Sequence, residues 1–204
     1  MTKLRNSIIL LPMKEAKQAR SRETQRKLIR AAEEVMREHG AEGLKVDVLT
    51  SKAECSTGSF YNLFKDRNAI ILAVMVDFKE RILSEIQDLL SAERLDKATR
   101  EDVFRLIVGF SVEVYSRNDS LFRVSQSFHS EIPELIDNGN EIVGEAVKTL
   151  GRIPCLEDLA PAEIEFIVRT NIASCDHYTF WNRDGACSGD LQGLLLKLLI
   201  NAYC

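Results

Sequence analysis

The sequence predicts an all-α fold, in which an N-terminal head of three helices is joined by a long helix to a larger helical body. The 204 residues include only four prolines and ten glycines, so little interrupts the helices. Apolar residues recur three and four positions apart, and no segment alternates apolar and polar residues with the period of a strand. Either one large domain or two small ones of this length can bury a proper core.

Charge is distributed unevenly along the chain. The net charge of -4 by itself argues against a protein that binds nucleic acid. Residues 1–65, however, contain 13 Lys and Arg against 8 Asp and Glu, a net +5, whereas residues 66–204 contain 14 against 23, a net -9. A basic front and an acidic remainder are typical of a chain with one end that faces DNA.

The first helix is predicted from Thr24 to His39. Thr24 can cap its start, and Gly40 supplies its C-terminal stop. Its inner stripe consists of Leu28, Ala32, Val35, Met36 and His39. Residues 1–22 are predicted to form a loosely ordered basic arm, which is either a solvated tail or a segment that reaches along a DNA backbone.

Two short helices with a tight corner between them are predicted over the stretch from Val46 to Arg67. The first carries an apolar stripe over Val46–Ala53. Ser56 can cap the second by accepting a hydrogen bond from a backbone N–H. Phe60 and Phe64, four residues apart, are then expected to face inward.

The outward side of this second helix is rich in hydrogen-bond donors. Its hydroxyl, amide and ammonium groups suit a nucleic-acid backbone, because phosphate oxygens accept hydrogen bonds from them. These residues are Thr57, Ser59, Tyr61, Asn62 and Lys65.

The run from Ala53 to Phe64 resembles the end of the helix-turn-helix of the TetR family of transcriptional regulators. The family pattern is roughly Ala-Gly-Val-Ser-x-Gly-Ser/Thr-hydrophobic-Tyr-x-x-Phe. The chain matches it at Ala53, Ser56, Gly58, Ser59, Phe60, Tyr61 and Phe64. Arg67 stands where the family usually has a lysine, and Ile70 where it has a leucine.

Three residues depart from the family pattern. Glu54 replaces the turn glycine, Thr50 a small alanine, and Lys45 the threonine that opens the first short helix. Glu54 must either adopt a left-handed conformation, at a cost of roughly 1 kcal/mol, or accept a different corner. It also places negative charge near the expected DNA, whereas Lys45 adds a cation that could reach a phosphate.

The resemblance implies a homodimer that places two recognition helices in successive major grooves of a palindromic DNA operator. Phosphate contacts are expected from Lys45, Tyr61, Lys65 and Arg67. Base edges are expected to meet Thr57, Ser59 and Asn62, next to the capping Ser56, while Gly58 stays small so that backbones can approach. The family further implies a repressor that a small-molecule effector releases from DNA.

The predicted domains are a helix-turn-helix domain at residues 23–65 and an effector-binding and dimerisation domain at residues 66–204. A long amphipathic helix is predicted from Asp66, as N-cap, to about Leu90. Further helices are predicted at residues 100–116, 120–131, 133–150, 161–183 and 189–203.

The last helix is apolar nearly all the way round. A terminal helix packed only on its own domain would need one apolar side, so the second side predicts a partner surface. Together with the preceding helix it is expected to form half of a four-helix dimer interface, although both could instead be central helices. The interface residues are Leu191, Leu194, Leu195, Leu198 and Leu199.

An effector pocket is predicted on the helix that Pro161 opens. Polar and aromatic groups share one side of it and suit a small apolar ligand with one or two polar atoms. Those on this helix are Asn171, Ser174, Tyr178 and Trp181, and Arg123, Gln126, Phe128 and His129 could contribute from the middle of the body. Each could equally be a satisfied polar group of the core or interface.

Catalysis is not expected, because the sequence carries no phosphate-binding glycine loop and no H-E-x-x-H or G-x-S-x-G motif. Cys175, Asp176 and His177 are neighbours on a helix and point about 100 degrees apart. The five cysteines form no C-x-x-C pair, which favours reduced, mostly buried thiols in a cytoplasmic protein without metal or cofactor. No stretch is long enough to span a membrane. The alternative function is a helical ligand-binding protein or enzyme with a degenerate head that does not bind DNA.

Overall fold

The computed structural model of the protein describes residues 5–181 and 190–204, with the side chains of residues 5–17, 92, 93 and 181 left aside. Every regular element in these ranges is a helix, which confirms the all-α prediction. The chain divides into two compact units, one reaching Val74 and the other beginning at Met75. The boundary falls inside a helix.

The N-terminal unit contains the predicted three-helix head. Its elements are α1 (Arg5–His39), a 3-10 turn (Ala41–Gly43), α2 (Val46–Lys52), α3 (Thr57–Leu63) and the first turns of α4 (Arg67–Leu89). Apolar side chains of all four helices are buried together. The fully or almost fully buried ones are Leu28, Ala32, Val35, Met36, Leu49, Phe60, Phe64, Ile70 and Ile71.

Helix α1 begins much earlier than the sequence predicted. Residues 5–22, expected as a loosely ordered arm, are helical and continuous with the rest of α1. Thr24 does not cap a helix, because its hydroxyl donates to the carbonyl oxygen of Arg20, one turn earlier (2.9 Å). His39 is exposed at the C-terminal end and so does not belong to the inner stripe.

The C-terminal unit is built from the remainder of α4 and from six further helices. These are α5 (Ala92–Leu95), α6 (Arg100–Arg117), α7 (Asp119–Ser127), α8 (Glu134–Leu150), α9 (Pro161–Trp181) and α10 (Leu191–Tyr203), with a 3-10 turn at Pro154–Leu156. Helix α9 packs against α6 and α8, and α10 packs against α6 and α9. Their buried faces supply the core of this unit.

The ends of these helices follow from capping chemistry. Thr99 and Asp102 form a reciprocal capping box at the start of α6. Asp190 caps α10 by accepting from the backbone N–H of Gly193 (3.0 Å), and Asp66 caps α4 by accepting from that of Ala69 (2.9 Å). The short α5 was not predicted, and α7 ends four residues earlier than predicted because Phe128 leaves the helical conformation.

Arg100 ties the start of α6 to two distant segments. Its guanidinium donates to the carbonyl oxygens of Cys155 (3.0 Å) and Tyr203 (2.7 Å) and pairs with the Asp158 carboxylate. One half-buried side chain thereby holds the 3-10 turn and the end of α10.

Candidate DNA-recognition helix and ligand cavity

The corner before α3 is formed by a single residue in a left-handed conformation. Glu54 has φ 52 degrees, the only positive φ of a non-glycine residue over the described part of the chain. The corner is closed by hydrogen bonds from the backbone N–H of Glu54 to Ser51 O (3.2 Å) and of Cys55 to Thr50 O (3.0 Å). Glu54 therefore takes the conformation of the family glycine, as the first of the two predicted options requires.

Helix α3 begins as the sequence predicts. The Ser56 hydroxyl accepts a hydrogen bond from the backbone N–H of Ser59 (3.1 Å), which satisfies one of the donors at the helix start. The Ser56 and Ser59 hydroxyls also bond one another (2.9 Å), so both are partly engaged within the helix. Phe60 and Phe64 are buried, as predicted.

The predicted DNA contacts form a largely exposed surface around α3. Tyr61 is 57% exposed although it is a large aromatic residue. Ser59 is half-buried, and the other residues of the set are exposed: Lys45, Ser56, Thr57, Gly58, Tyr61, Asn62, Lys65 and Arg67. Lys45 stands at the start of α2 and Arg67 at the start of α4, so these two cations lie on different elements from the α3 residues. No bound nucleic acid tests these assignments, which stay predictions.

Gly58 has no internal reason to be glycine. Its φ is not positive, and a Cβ built on it would meet only Ser56 Oγ at 3.8 Å, an ordinary contact. A side chain could therefore be accommodated by the fold as far as the described residues show. An approach from outside the chain would explain the missing side chain.

The polar group of Thr50 and the charge of Glu54, which both depart from the family pattern, are compensated locally. Thr50 is buried, and its hydroxyl donates to Val46 O (2.7 Å), so the extra polar group is satisfied. The Glu54 carboxylate lies 3.7 Å from the Lys27 ammonium on α1, which offsets part of its negative charge. Both substitutions are compatible with the helix-turn-helix geometry.

A cavity of about 570 Å³ lies within the C-terminal unit. Helices α4, α6, α7, α8 and α9 all contribute side chains to it, and most of the wall is apolar. The apolar lining includes Met75, Phe78, Ile82, Ile86, Phe110, Phe122, Leu135, Ile136, Val143 and Ile172. A largely apolar wall with a few polar groups, at this volume, is typical of a site for a small organic molecule.

Some of the polar groups of the cavity lie where α6 faces α9. The Asn171 amide nitrogen donates to Ser111 Oγ (2.6 Å) and weakly to Ile107 O (3.4 Å). Asn171 is only 4% exposed, and its Oδ1 atom has no hydrogen-bond partner. One turn further along, the Tyr115 phenol lies beside the Asp176 carboxyl. A buried acceptor without a donor is costly, so Asn171 carries an unsatisfied polar atom beside the cavity.

Burial shifts the pKa values of side chains in the region where α6 faces α9. It raises the pKa of the Asp176 carboxyl, and the hydrogen bond from Tyr115 and the facing His129 counteract part of that effect. Burial and the neighbouring Asp176 raise the pKa of the Tyr115 phenol above its usual range. Burial raises the pKa of Cys175 to about 11, so this thiol stays protonated and unreactive at neutral pH.

The structure brings together only part of the predicted effector site. Gln126, His129 and Asn171 line the cavity, whereas Arg123 and Tyr178 line a separate recess. Ser174 lines neither, and its hydroxyl donates to Thr170 O one turn earlier (2.7 Å). The buried Phe128 also lines neither, and the Trp181 side chain, like Cys187 and the predicted helix end at Arg183, lies outside what the structure describes.

Several cavity residues escaped prediction. The apolar lining of α4 and α8 reads in the sequence as ordinary core, because the spacing of a core face and of a cavity wall is the same. Asp176 and Tyr115 are the informative polar groups. In the sequence Asp176 stands beside Cys175 and His177, a spacing that argues against catalysis by adjacent residues and carries no signal for a cavity.

The predicted dimer residues on α10 point in two directions. Leu195 and Leu199 are only 6% and 3% exposed within the chain itself, so they belong to its own core. Leu194 and Leu198 are 62% and 52% exposed, and Leu191 is half-buried. The five leucines are therefore not one surface, because residues 195 and 199 are rotated by about 100 degrees from residues 194 and 198.

On α9, Phe166 is 61% exposed, a further large apolar side chain outside the core.

Two classes of function receive no support from the described residues. They contain no group of three or more His, Cys, Asp or Glu side chains that could hold a metal ion. The helices within the described ranges are too short or too polar to cross a membrane. The cysteines described are free thiols, of which Cys175 is buried and Cys204 exposed, so they are less buried than predicted.

Comparison with known proteins gives the same family for the N-terminal part of the chain as the sequence motif does. The family of bacterial regulatory proteins named tetR matches residues 28–74, and no curated protein sequence matches the chain. A protein from Mesorhizobium loti MAFF303099, described as a TetR-family transcriptional regulator, superposes with a TM-score of 0.68 at 13% identity, covering 90% of this chain and 98% of the other.

Two further solved structures share the fold. The transcriptional regulator FadR from Bacillus subtilis, in complex with stearoyl-CoA, has a TM-score of 0.59 at 17% identity and covers 87% of this chain and 98% of its own. A TerR/AcrR-family regulator from Aquifex aeolicus VF5 has a TM-score of 0.59 at 18% identity, covering 88% and 99%. Residues 28–74 therefore match the tetR family of bacterial regulatory proteins, and the described chain shares its all-helical fold with solved regulators of that family.

Proposed function

We propose that the protein is a homodimeric repressor that binds a palindromic DNA operator through α3 and is released by a small molecule in the cavity. The observation that carries the first part is the surface around α3. It presents an exposed tyrosine, an exposed amide and two lysines next to a glycine that the fold itself does not require. Such a surface provides donors for phosphates and room for close backbone approach.

The distribution of charge also favours the N-terminal unit as the part that faces DNA. Residues 1–65 carry a net +5, whereas the rest of the chain carries -9. Attraction to phosphates would therefore favour the N-terminal unit over the C-terminal one at low ionic strength.

DNA binding is tested by Tyr61→Ala and Lys65→Ala in a mobility-shift titration on DNA from upstream of the protein's own gene. Loss of one lysine contact to phosphate should weaken binding to all sequences and reduce the slope of log affinity against log salt by about one. Lys97→Ala is the matched control, because it removes one exposed lysine from the C-terminal unit. An unchanged salt slope in Lys65→Ala would contradict the assigned contact.

The proposed dimer surface is narrower than the sequence predicted. It consists of Leu194, Leu198 and Phe166, which are exposed large apolar residues on α10 and α9. Covering them with the same surface of a second copy would remove apolar area from water and satisfy the symmetry of a palindromic site.

The dimer is tested by the oligomeric state of Leu194→Glu with Leu198→Glu. Sedimentation should give a monomer that keeps its helical circular dichroism, whereas Gln87→Glu, an exposed position on α4, should stay dimeric. Charge at Leu195 is a poorer test, because that residue is buried in the chain's own core and its substitution would unfold the protein. A dimer that persists in the double variant would refute the proposed surface.

Helix α4 offers a connection between ligand and DNA binding. Its residues Ile70 and Ile71 belong to the core of the N-terminal unit, and Phe78, Ile82 and Ile86 line the cavity. A ligand that binds one conformation of α4 more tightly shifts the population toward that conformation. The affinity for DNA then changes by an amount that is set by the difference between the ligand's affinities for the two conformations.

A further inference from the structure

The charged side chains of the cavity in the C-terminal unit favour one sign of ligand charge over the other. Two lysine or arginine side chains line it, and each already has an acidic partner: Lys79 pairs with Glu141, and Arg169 Nε lies 2.8 Å from Glu165. A carboxylate or phosphate ligand would have to displace one of those partners.

A positively charged ligand meets the opposite situation. Asp176 lines the cavity from α9 and is half-buried. The Tyr115 phenol and the His129 imidazole are its neighbours in the cavity wall, and a carboxylate can accept about four hydrogen bonds. Acceptor capacity therefore remains for a cation, and its charge would offset the cost of holding a carboxylate away from water.

Asn171 adds a second hydrogen-bond acceptor in the region where α6 faces α9. Its amide nitrogen faces Ile107 O, which can only accept, so the orientation of the amide is fixed with Oδ1 as the unpartnered atom. Ser111 and Tyr115, the α6 partners of Asn171 and Asp176, are four residues apart, which is about 6 Å along the helix. This acceptor, buried beside the cavity wall, adds to the negative potential on the side of Asp176.

Aromatic rings complete the environment of a cation. Tyr115 and Phe122 stack face to face, with ring centroids 4.0 Å apart, and Phe78 meets Phe122 edge-on at 5.5 Å. All three line the cavity. The negative face of an aromatic ring attracts an ammonium group, most strongly where water is excluded.

We propose that the cavity binds an amphiphilic organic cation, that is, a protonated amine carried on a hydrocarbon or aromatic body. The ammonium group lies against Asp176, and the apolar body lies along α4 and α8. The inference rests on the proposed function only in taking this cavity as the effector site.

The test compares three probes that share one alkyl chain: dodecylamine, dodecanol and dodecanoate, each below its micellar concentration. Isothermal titration of the full-length protein at neutral pH should rank them in that order, with the amine at least ten times tighter than the alcohol. Equal affinities, tightest binding of dodecanoate, or no binding of any probe would each overturn the proposal.

Variants identify the group that carries the preference. Asp176→Asn keeps the size of the side chain and should reduce amine affinity about tenfold with little change for dodecanol. Asp176→Glu should restore part of it, and Asp88→Asn, an exposed carboxylate on α4, should change nothing. Unaltered amine affinity in a folded Asp176→Asn protein would refute the role of Asp176. If that variant does not fold, the ranking of the three probes on the native protein decides the ligand class.

DNA binding separates this inference from the proposed function. An amine that binds in the expected rank but leaves the operator complex intact supports the ligand class and contradicts the effector role. Failure of the protein to bind any operator would contradict the proposed function and leave the titration result standing.

Discussion

Replacing Glu54 with glycine should stabilise the N-terminal unit. Glu54 is held at φ 52 degrees by the hydrogen bonds of the corner between α2 and α3, and most of its side chain is exposed. The one ion pair it forms, with Lys27 at 3.7 Å, joins two solvent-exposed groups and contributes little. The backbone conformation therefore dominates the effect of the substitution.

The magnitude follows from two opposing effects. A left-handed conformation costs a residue with a Cβ roughly 1–2 kcal/mol, which Glu54→Gly removes. Glycine makes the unfolded chain more flexible, which takes back about 0.5–1 kcal/mol. The mid-points of these two ranges differ by about 0.7 kcal/mol, which is the expected net gain in the free energy of unfolding.

Denaturant unfolding, followed by far-ultraviolet circular dichroism, measures this gain, with Glu54→Asn and Glu54→Gln as matched variants. Asparagine tolerates the left-handed region better than glutamine does, so the expected order of stability is Gly, then Asn, then Gln. Glutamine removes the charge but keeps the backbone cost, so it should resemble the native protein. A Glu54→Gly protein no more stable than Glu54→Gln would refute the strain argument.

DNA affinity should follow charge instead of strain. Glu54→Gly and Glu54→Gln each remove one negative charge near the expected phosphates, so both should tighten DNA binding by a similar factor, most strongly at low salt. If only one of them tightened binding, the carboxylate would not be the group that opposes DNA.

Three further predictions concern the C-terminal unit. Because burial raises the pKa of Asp176 in the folded state, its ionised form opposes folding at neutral pH. This penalty disappears as pH falls below the unfolded pKa of about 4, so Asp176→Asn should raise the melting temperature at pH 7 and lose that advantage at low pH. Arg100→Ala should cost about 2 kcal/mol in chemical denaturation, and Arg100→Lys nearly as much, because an ammonium cannot reach both carbonyls and the carboxylate in the same geometry. In thiol titration of the native protein at pH 7.5, Cys204 should react rapidly and Cys175 only on unfolding.

Local patterns predicted those parts of the fold that local chemistry determines. The cap at Ser56, the buried pair Phe60 and Phe64, and the stop at Gly40, with φ 63 degrees, depend on residues within one or two turns. The start of α1 was predicted wrongly because a threonine can cap a helix or bond back to the previous turn. Thr24 does the latter.

The cavity and the two sides of α10 required the tertiary structure. In a helix that is apolar all round, the sequence cannot tell which leucines face the chain's own core, and Leu194 and Leu195 are neighbours with opposite environments. Similarly, an apolar stripe on α4 is the same whether it meets side chains or empty space. Only the packing of α6, α8 and α9 around it leaves the volume open.

The position of the boundary between the two units has a practical consequence for dissecting the protein. Val74 and Met75 are consecutive residues of α4, a helix that contains neither glycine nor proline between Arg67 and Leu89. Truncation at that boundary would cut a continuous helix. It would leave apolar side chains such as Phe78 and Ile82 on one fragment without their neighbours. Fragments for separate expression should therefore keep all of α4, with its later apolar residues changed to polar ones in the N-terminal piece.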